Sequence, residues 1–279
     1  MFLGKRGAVM QRLMTAAVYI PLVLALVLLP ALSVVFLLFC TGMAVLGIQE
    51  FLAMARIKGI VAEKTCAMLS CAAIMLSAYA GSVDIMAMVF FTGTALTAWV
   101  HILRGTWSFQ GLLASVFGVF YVGWLPAHFV LLHRFPAIGP GLIILLCVGV
   151  MCSDAGAFIA GKTFGKHKLA ARVSPNKTWE GAVGGVLAAV FGALILYLLC
   201  AIFDWQCYPH WRLMAYVLSC AALSIVSQIG DLVESVLKRG AGVKDSGTIF
   251  PGHGGVLDRC DGLLFAAPML YYLAAIGGV

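Results

Sequence analysis

Four carboxylates in the last fifth of the chain stand at spacings typical of a metal site. Asp231 and Glu234 are three residues apart, and so are Asp258 and Asp261. Residues three apart lie on one face of a helix, so each pair presents two carboxylates together. Carboxylate oxygens suit Mg²⁺, which binds one or two of them along with water and substrate phosphates. We therefore consider a Mg²⁺ site that both pairs share.

The same charges also allow an interpretation without a metal. Glu234 can pair with Lys238, four residues further on, and Asp258 can pair with its neighbour Arg259. Spacing alone does not separate a Mg²⁺ site from two buried ion pairs. A carboxylate beside an apolar run is costly unless it is paired, metal-bound or open to water, so a functional role is the default hypothesis.

The segment between the two acidic pairs has the composition of a phosphate site. Its cations and key glycines are Lys238, Arg239, Lys244, Arg259, Gly252, Gly254 and Gly255. Backbone N–H groups in glycine-rich turns can cradle phosphate oxygens, and nearby cations add charge. The GxxxxGK[ST] spacing of a P-loop is absent. His253 lies among the glycines, where a general acid, a phosphate contact and a turn-stabilising side chain remain alternatives.

A second polar segment holds further candidates. Ser174, which precedes a proline, is predicted to cap a helix that begins there and aims its positive N-terminus at an anion. An ordinary entry from loop to helix is the alternative. Upstream, Asp154 lies at the end of an apolar run. Among the other acids, Glu50 lies deep in an apolar run, where pairing with a neighbouring helix and function compete, while Glu63 is predicted to be a solvated loop residue.

Both polar segments belong to a chain whose composition suits lipid. Hydrophobic residues make up 63% of it and charged residues 10%, against about 25% charged residues in a soluble domain. Nine apolar runs lie near 13–29, 31–54, 65–81, 84–103, 110–132, 139–161, 180–203, 211–229 and 261–277. A helix needs about 20 apolar residues to cross a bilayer, and continuous runs exclude a β-barrel. We expect an all-α integral membrane protein, a bundle of about nine transmembrane helices that forms one domain over 1–279, with catalytic segments near 153–181 and 228–261.

The distribution of lysine and arginine predicts the orientation of the bundle. With nine spans and a cytoplasmic N-terminus, 16 of the 18 cations lie on the inside, and only Arg134 and Arg212 lie outside. The two polar segments then face the cytoplasm from a multi-pass position in the cell inner membrane. The net charge of +7 follows from this rule, so no nucleic-acid partner is expected.

The polar segments closely resemble the signature of phosphatidate cytidylyltransferases, also called CDP-diacylglycerol synthases. The resemblance rests on residues 235–261, which contain KR, KD, PGHGG and DRCD in order. SDAGA at 153–157, SPNKTWEG at 174–181, QIGDLVES at 228–235 and the opening at 11–23 are also similar to the family. Cys260 departs from the pattern, where a bulkier apolar residue or threonine is more usual, and we expect it to affect packing.

The resemblance implies a reaction and its participants. CTP and phosphatidate would give CDP-diacylglycerol and pyrophosphate, with Mg²⁺ as cofactor and a second metal ion as a further option. The lipid tails would stay in the membrane, and a homodimer is the assembly that the family suggests. A polytopic transporter and a related lipid kinase are the alternatives. Intramembrane acids suit a transporter, but here they concentrate at one side of the later helices.

The resemblance also implies residue roles. The metal ligands would be Asp231 and Asp258, with Asp261 and Glu234 supporting or sharing the site. The catalytic set comprises Asp231, Asp258, Lys238, Arg239, Lys244, His253 and Arg259, in which the cations contact phosphates. The substrate-binding set comprises Asp154, Ser174, Asn176, Lys177, Gly252, Gly254 and Gly255. Asp154 would either hold a cation in place or bind a second metal.

Overall fold

Long apolar helices joined by short turns account for most of the chain. The computed structural model describes residues 21–105, 108–205, 208–249 and 254–276, so the predicted site residues Gly252 and His253 lie outside the described residues. Residues 21–28 are helical, and a 3₁₀ turn at Pro30–Leu32 leads into the first complete helix. The elements that follow are α1 (Ser33–Ile57), α2 (Lys64–Ala78), α3 (Val83–Leu103), α4 (Phe109–Val119), α5 (Leu125–His133), α6 (Gly139–Phe164), β1 (Lys168–Ala170), β2 (Ser174–Thr178), α7 (Trp179–Phe203), α8 (Leu213–Ala241) and α9 (Leu257–Ile276). A π-helical turn, Phe120–Trp124, joins α4 to α5 without a break.

Six helical stretches of the described chain are long and apolar enough to cross a membrane. They are Pro30–Ile57, Val83–Leu103, Phe109–His133, Gly139–Phe164, Trp179–Phe203 and Leu213–Ala241. The predicted all-α polytopic membrane protein is confirmed. The count of nine spans stays a prediction, because the run at 65–81 corresponds to the 15-residue α2 and the run at 13–29 lies mostly outside the described residues. The run at 261–277 corresponds to α9, which begins with the charged residues of the signature.

The helices α6 and α7 approach each other closely through small residues. A side chain at Gly156 would overlap Ala188, and one at Gly184 would overlap Ala160. Large apolar side chains point outward from the same two helices, such as Phe158 and Phe191, which are 69% and 64% exposed. Outward apolar side chains suit lipid, and the small-residue face is already used within the chain, so it gives no separate argument for a homodimer.

Two buried apolar clusters build the two halves of the bundle, and α9 belongs to both. Leu264 packs with side chains of α1, α2 and α5. Ala266 and Leu270 pack with side chains of α6, α7 and α8. Because α9 is held from both sides, its first turn, which carries the signature acids, has a fixed position in the bundle.

The segment between α6 and α7 is a β-hairpin, which differs from the predicted helix start. The strands β1 and β2 pair antiparallel, with Ser174 opposite Ala170. The helix begins at Trp179, and its N-cap is Thr178, whose hydroxyl accepts the N–H of Gly181 at 3.1 Å. The predicted N-cap at Ser174 is therefore wrong. A proline fits a strand of such a hairpin, which has two edges.

A partly exposed acid, Glu180, holds the base of this hairpin. The Glu180 carboxylate accepts the backbone N–H of Lys166 at 3.1 Å and that of His167 at 3.2 Å. The same carboxylate lies 2.6 Å from the His167 ring nitrogen Nδ1. Glu180 therefore links the end of α6 to the first turn of α7, so the hairpin leaves the bundle at a defined place.

Contacts between helix ends sort the connections between α1 and α5 into two groups. At one end, Tyr79 bonds Ser33 at 3.2 Å and lies under the Arg134 guanidinium. At the other end, Arg104 lies 2.8 Å from Glu63. The prediction of a solvated Glu63 is wrong, since this residue is 3% exposed and caps α2. Its burial is tolerated because an arginine from α3 neutralises it.

Candidate functional site

The two acidic pairs of the signature meet at a single lysine. Lys238 Nζ lies 2.7 Å from Glu234 Oε2 and 2.7 Å from Asp258 Oδ1. The Glu234 side chain is 0% exposed and that of Asp258 is 6% exposed. Charges so deeply buried need a partner, which Lys238 supplies to both. This lysine therefore joins the end of α8 to the start of α9.

The ion pairs differ in part from the pairing that spacing suggested. Glu234 does pair with Lys238, as the metal-free interpretation predicted. Asp258 pairs with Lys238 from another helix and not with Arg259, whose side chain is exposed. Neighbours in a helix point in different directions, so Asp258 and Arg259 are poorly placed to pair.

Asp258 also holds the segment that precedes α9. Its Oδ2 accepts the backbone N–H of Ser246 at 2.7 Å, the Ser246 hydroxyl at 2.9 Å and the N–H of Gly255 at 2.8 Å. Gly254 has a φ of 83°, and a Cβ there would stand 2.6 Å from the same oxygen. Both Asp258 oxygens are thus occupied by protein donors, and glycine is required where the backbone passes them.

Glu50 reaches the same segment from α1. Its Oε1 accepts the N–H of Val256 at 2.9 Å, and its Oε2 accepts the N–H of Leu257 at 3.1 Å and the Ser246 hydroxyl at 2.9 Å. It is 6% exposed. Sequence reasoning left its role open, and the only signal was a carboxylate inside an apolar run. Glu50 thus contacts the signature segment and accepts N–H groups at the start of α9 that have no partner within the helix.

A second ion pair joins the two polar segments of the sequence. Lys177 Nζ, on β2, lies 2.5 Å from Asp231 Oδ2, on α8. The two side chains are 24% and 34% exposed, more than those of the pair at Glu234, although the Lys177 Nζ atom itself is buried. Ser235 Oγ, 3.4 Å away, donates to the other oxygen of Asp231. The structure therefore brings Lys177, from the second polar segment, to the acidic residues of the first.

Three carboxylates from three helices act on one another near this pair. Asp154 on α6 interacts electrostatically with Asp261, Asp231 and Lys177. Asp261 on α9 also interacts electrostatically with Glu234, whose buried Oε1 receives no N–H or O–H from the described residues. Carboxylates that repel one another in a partly buried place favour a proton or a cation near them. Lys177 alone does not neutralise the charge of Asp154, Asp231 and Asp261.

The carboxylates of this group suit a hard cation that takes only a few of its ligands from the protein. No group of three or more His, Cys, Asp or Glu side chains is closed into a metal site within the described ranges. Mg²⁺ commonly takes only one or two carboxylates and keeps water and phosphate oxygens. Asp231 and Asp261 suit that role better than Asp258. The Asp231 side chain is 34% exposed and accepts from Lys177 and, at 3.4 Å, from Ser235, while Asp261 accepts the N–H of Gly262. Asp258 is 6% exposed, and its two oxygens accept from four protein donors.

The remaining predicted cations and hairpin residues lie around this group in less constrained positions. Arg239 donates to the backbone oxygens of Val173 at 3.4 Å and Val243 at 3.3 Å, which ties the hairpin to the end of α8. The residues Lys244, Arg259 and Asn176 are exposed, while Ser174 is half-buried on β2. Exposed cations beside a buried acidic cluster are available to an anionic ligand.

A buried polar network under the site had no sequence prediction. Gln228 Nε2 donates to the Ala182 oxygen at 3.2 Å and the Ser224 hydroxyl at 3.1 Å. Ser153 Oγ lies 2.7 Å from Ser224 Oγ and is fully buried. These bonds cross between α6, α7 and α8, with Ser153 next to Asp154 and Gln228 three residues before Asp231. Polar residues spread over two apolar runs gave no local signal.

Comparison with known proteins agrees with the resemblance of the signature. Residues 10–276 match the cytidylyltransferase family. A phosphatidate cytidylyltransferase of Bacillus subtilis (strain 168) is 36% identical over 197 residues, 71% of each chain. One of Synechocystis sp. is 34% identical over 265 residues, 83% of this chain and 85% of its own. One of Brucella suis biovar 1 is 46% identical over 159 residues, 57% of this chain and 56% of its own. Because the family match extends over almost the whole sequence, the chain belongs to the cytidylyltransferase family.

Proposed function

We propose that this chain is a phosphatidate cytidylyltransferase that works at the group of charges between the hairpin, α6, α8 and α9. The chain transfers a cytidylyl group from CTP to phosphatidate and releases pyrophosphate, and the product is CDP-diacylglycerol. The observation that carries the assignment of the site is the Lys177–Asp231 pair, which brings both polar segments of the signature together in a half-exposed position. The family match favours this activity over a transporter or a lipid kinase.

The reaction asks the protein to bring two polyanions together. A phosphate oxygen of phosphatidate forms a bond to the α-phosphorus of CTP, and the bond from that phosphorus to the pyrophosphate oxygen breaks. The nucleophile is already an anion, so no strong base is required. Catalysis of phosphoryl transfer is mostly positioning and charge stabilisation. Cations at a fixed place are therefore the groups that matter most.

The cations of the site divide into two kinds by burial. Lys238 is 12% exposed and engaged with two carboxylates, so it orders the site and has one N–H left for a phosphate. The cations Arg239, Lys244 and Arg259 are exposed and would contact the phosphates of CTP. Lys177 would bind a phosphate of either substrate after exchanging its contact with Asp231. Asn176 and Ser174, on the same strand, would line that position.

Mg²⁺ is the cofactor we assign, and Asp231 and Asp261 would hold it. Bound there, the ion would supply positive charge to the phosphates and to the leaving pyrophosphate. Asp154 would either steady Lys177 or contribute to a second metal ion. Glu234 and Asp258 support the site through Lys238, which modifies the ligand roles that the resemblance implied.

The active site faces the cytoplasm in this proposal, and the chain crosses the cell inner membrane nine times. Support comes from the two groups of helix-end contacts, since the group with Glu63 and Arg104 lies at the ends that carry most of the cations. Phosphatidate would reach the site from the bilayer and CTP from water. Gly254 and Gly255 would border the nucleotide position, and Gly252 and His253, which lie outside the described residues, keep the roles that the resemblance implies. A homodimer is the assembly we expect.

The assay that tests the function supplies purified protein with labelled CTP, phosphatidate and Mg²⁺. Labelled CDP-diacylglycerol and one equivalent of pyrophosphate are expected, and formation should stop when a chelator removes the metal. Protein that is folded and monodisperse in detergent yet makes no labelled lipid with any divalent metal would refute the proposal. Phosphate transfer from CTP to a lipid alcohol in its place would indicate a lipid kinase.

A further inference from the structure

Glu50 is a buried acid that neither the signature nor the proposed metal site includes. It lies in α1, 196 residues before Ser246, yet it bonds that residue and the first residues of α9. The space around it is shaped for a carboxylate. A Cβ at Gly247 or at Gly255 would overlap the Glu50 carboxylate, so the backbone passes on both sides of it only because these residues are glycine.

The bonds of Glu50 hold both ends of one segment, which we call the signature loop: residues 246–257, of which the structure describes 246–249 and 254–257. Ser246 begins this loop, and Val256 and Leu257 end it. The two N–H groups belong to the start of α9, where a helix has unpaired donors and a partial positive charge. A carboxylate from a membrane-embedded helix therefore fixes the two described ends of the loop and the start of the helix that follows it.

Ser246 couples Glu50 to Asp258. Its hydroxyl lies 2.9 Å from Glu50 Oε2 and 2.9 Å from Asp258 Oδ2. A hydroxyl carries one hydrogen, which it donates to one acceptor at a time. Asp258 in turn pairs with Lys238 through its other oxygen. The chain Glu50–Ser246–Asp258–Lys238 thus runs from α1 to the centre of the site.

We propose that Glu50 is a positioning residue for the nucleotide: it holds the signature loop and Asp258 in the geometry that binds the CTP phosphates. The inference rests on the proposed function for the identity of the nucleotide, but the contact itself does not. Glu50 touches no reacting atom in this proposal. It acts through the backbone of the loop and through Ser246.

The test compares Glu50→Gln and Ser246→Ala with a matched control, Glu63→Gln. Glu63 is also a buried carboxylate that caps a helix, and it lies away from the signature loop. We expect both loop variants to raise KM for CTP by about 10- to 100-fold, the usual cost of removing an outer partner of a site. KM for phosphatidate should stay within about twofold. Glu63→Gln should leave both KM values unchanged even where it lowers thermal stability.

A second readout does not depend on activity. Hydrogen exchange at the amides of Val256 and Leu257 should become faster in Glu50→Gln than in the unaltered protein, and Glu63→Gln should leave it unchanged. Wild-type protein without transferase activity would refute the proposed function, while this exchange measurement would still test the contact. Wild-type KM for CTP and wild-type exchange in Glu50→Gln would overturn the inference. Should Glu50→Gln fail to fold, an unchanged KM for CTP in Ser246→Ala would overturn it.

Discussion

Removing the charge of Lys238 should destabilise the protein more than any single surface change. Lys238→Met leaves Glu234 and Asp258, which are 0% and 6% exposed, without their shared counter-ion. At 2.7 Å and an effective dielectric constant of about 20, each pair has roughly 6 kcal/mol of Coulomb attraction. Desolvation cancels much of this, and breaking a buried pair on one side typically costs about 3–5 kcal/mol. The ratio of folded to unfolded protein should fall by more than about a hundredfold, since 1.4 kcal/mol is a factor of ten.

The measurement is equilibrium unfolding in mixed detergent micelles, followed by tryptophan fluorescence. Lys238→Arg keeps the charge and should lose much less stability. The double variant Glu234→Gln/Lys238→Met removes one orphaned charge together with its partner and should recover part of the loss. Stability of Lys238→Met within about 1 kcal/mol of wild type, or a double variant no more stable than the single one, would refute the reasoning from burial.

Three further predictions follow from the site and the packing. Asp231→Asn and Lys177→Met should each lower turnover by about 10²-fold or more, since both hold charge where the substrates meet; near-normal rates in either folded variant would remove that residue from the site. Gly184→Leu should cost about 1–3 kcal/mol by overpacking the contact of α6 with α7, while Gly42→Ala, with open space at its Cβ, serves as the control; equal unfolding midpoints would contradict the packing. His210→Cys should react with an impermeant maleimide from outside the cell, and labelling from inside alone would reverse the orientation.

The parts of the fold that local sequence determines were predictable. Apolar runs of bilayer length gave most of the long helices within a few residues, because in lipid a backbone must satisfy its own hydrogen bonds. The exception is α8, which continues twelve residues past the end of its run at 229 and carries Asp231, Glu234 and Lys238. The hairpin between α6 and α7 was not predicted. Ser174 followed by a proline has the local form of a helix start, and only the pairing of Ser174 with Ala170 decides for a strand. Thr178, the actual cap, has the same side-chain chemistry as the predicted one.

The site shows the same division between local and distant information. The pair of Glu234 with Lys238 follows from a spacing of four on one helix. Its extension to Asp258 depends on how α8 and α9 cross, which no spacing encodes. The resemblance of the signature assigned Asp258 to a metal, and this role stays a prediction. In the structure, both Asp258 oxygens accept from protein donors, which no spacing indicates.

Burial explains why the signature segments alone do not define the site. A phosphate site needs exposed cations in fixed positions. Cations on a glycine-rich loop are fixed only where a rigid part of the protein holds that loop. Here the rigid parts are two buried acids, Glu50 and Asp258, which lie on different helices and share Ser246. Each acid is tolerable in an apolar bundle because it accepts several N–H and O–H donors. The acids that are least expected in a membrane sequence are therefore of two kinds, those that hold the loop and those that we propose meet the substrate. Exposure separates them, with Glu50 at 6% and Asp231 at 34%.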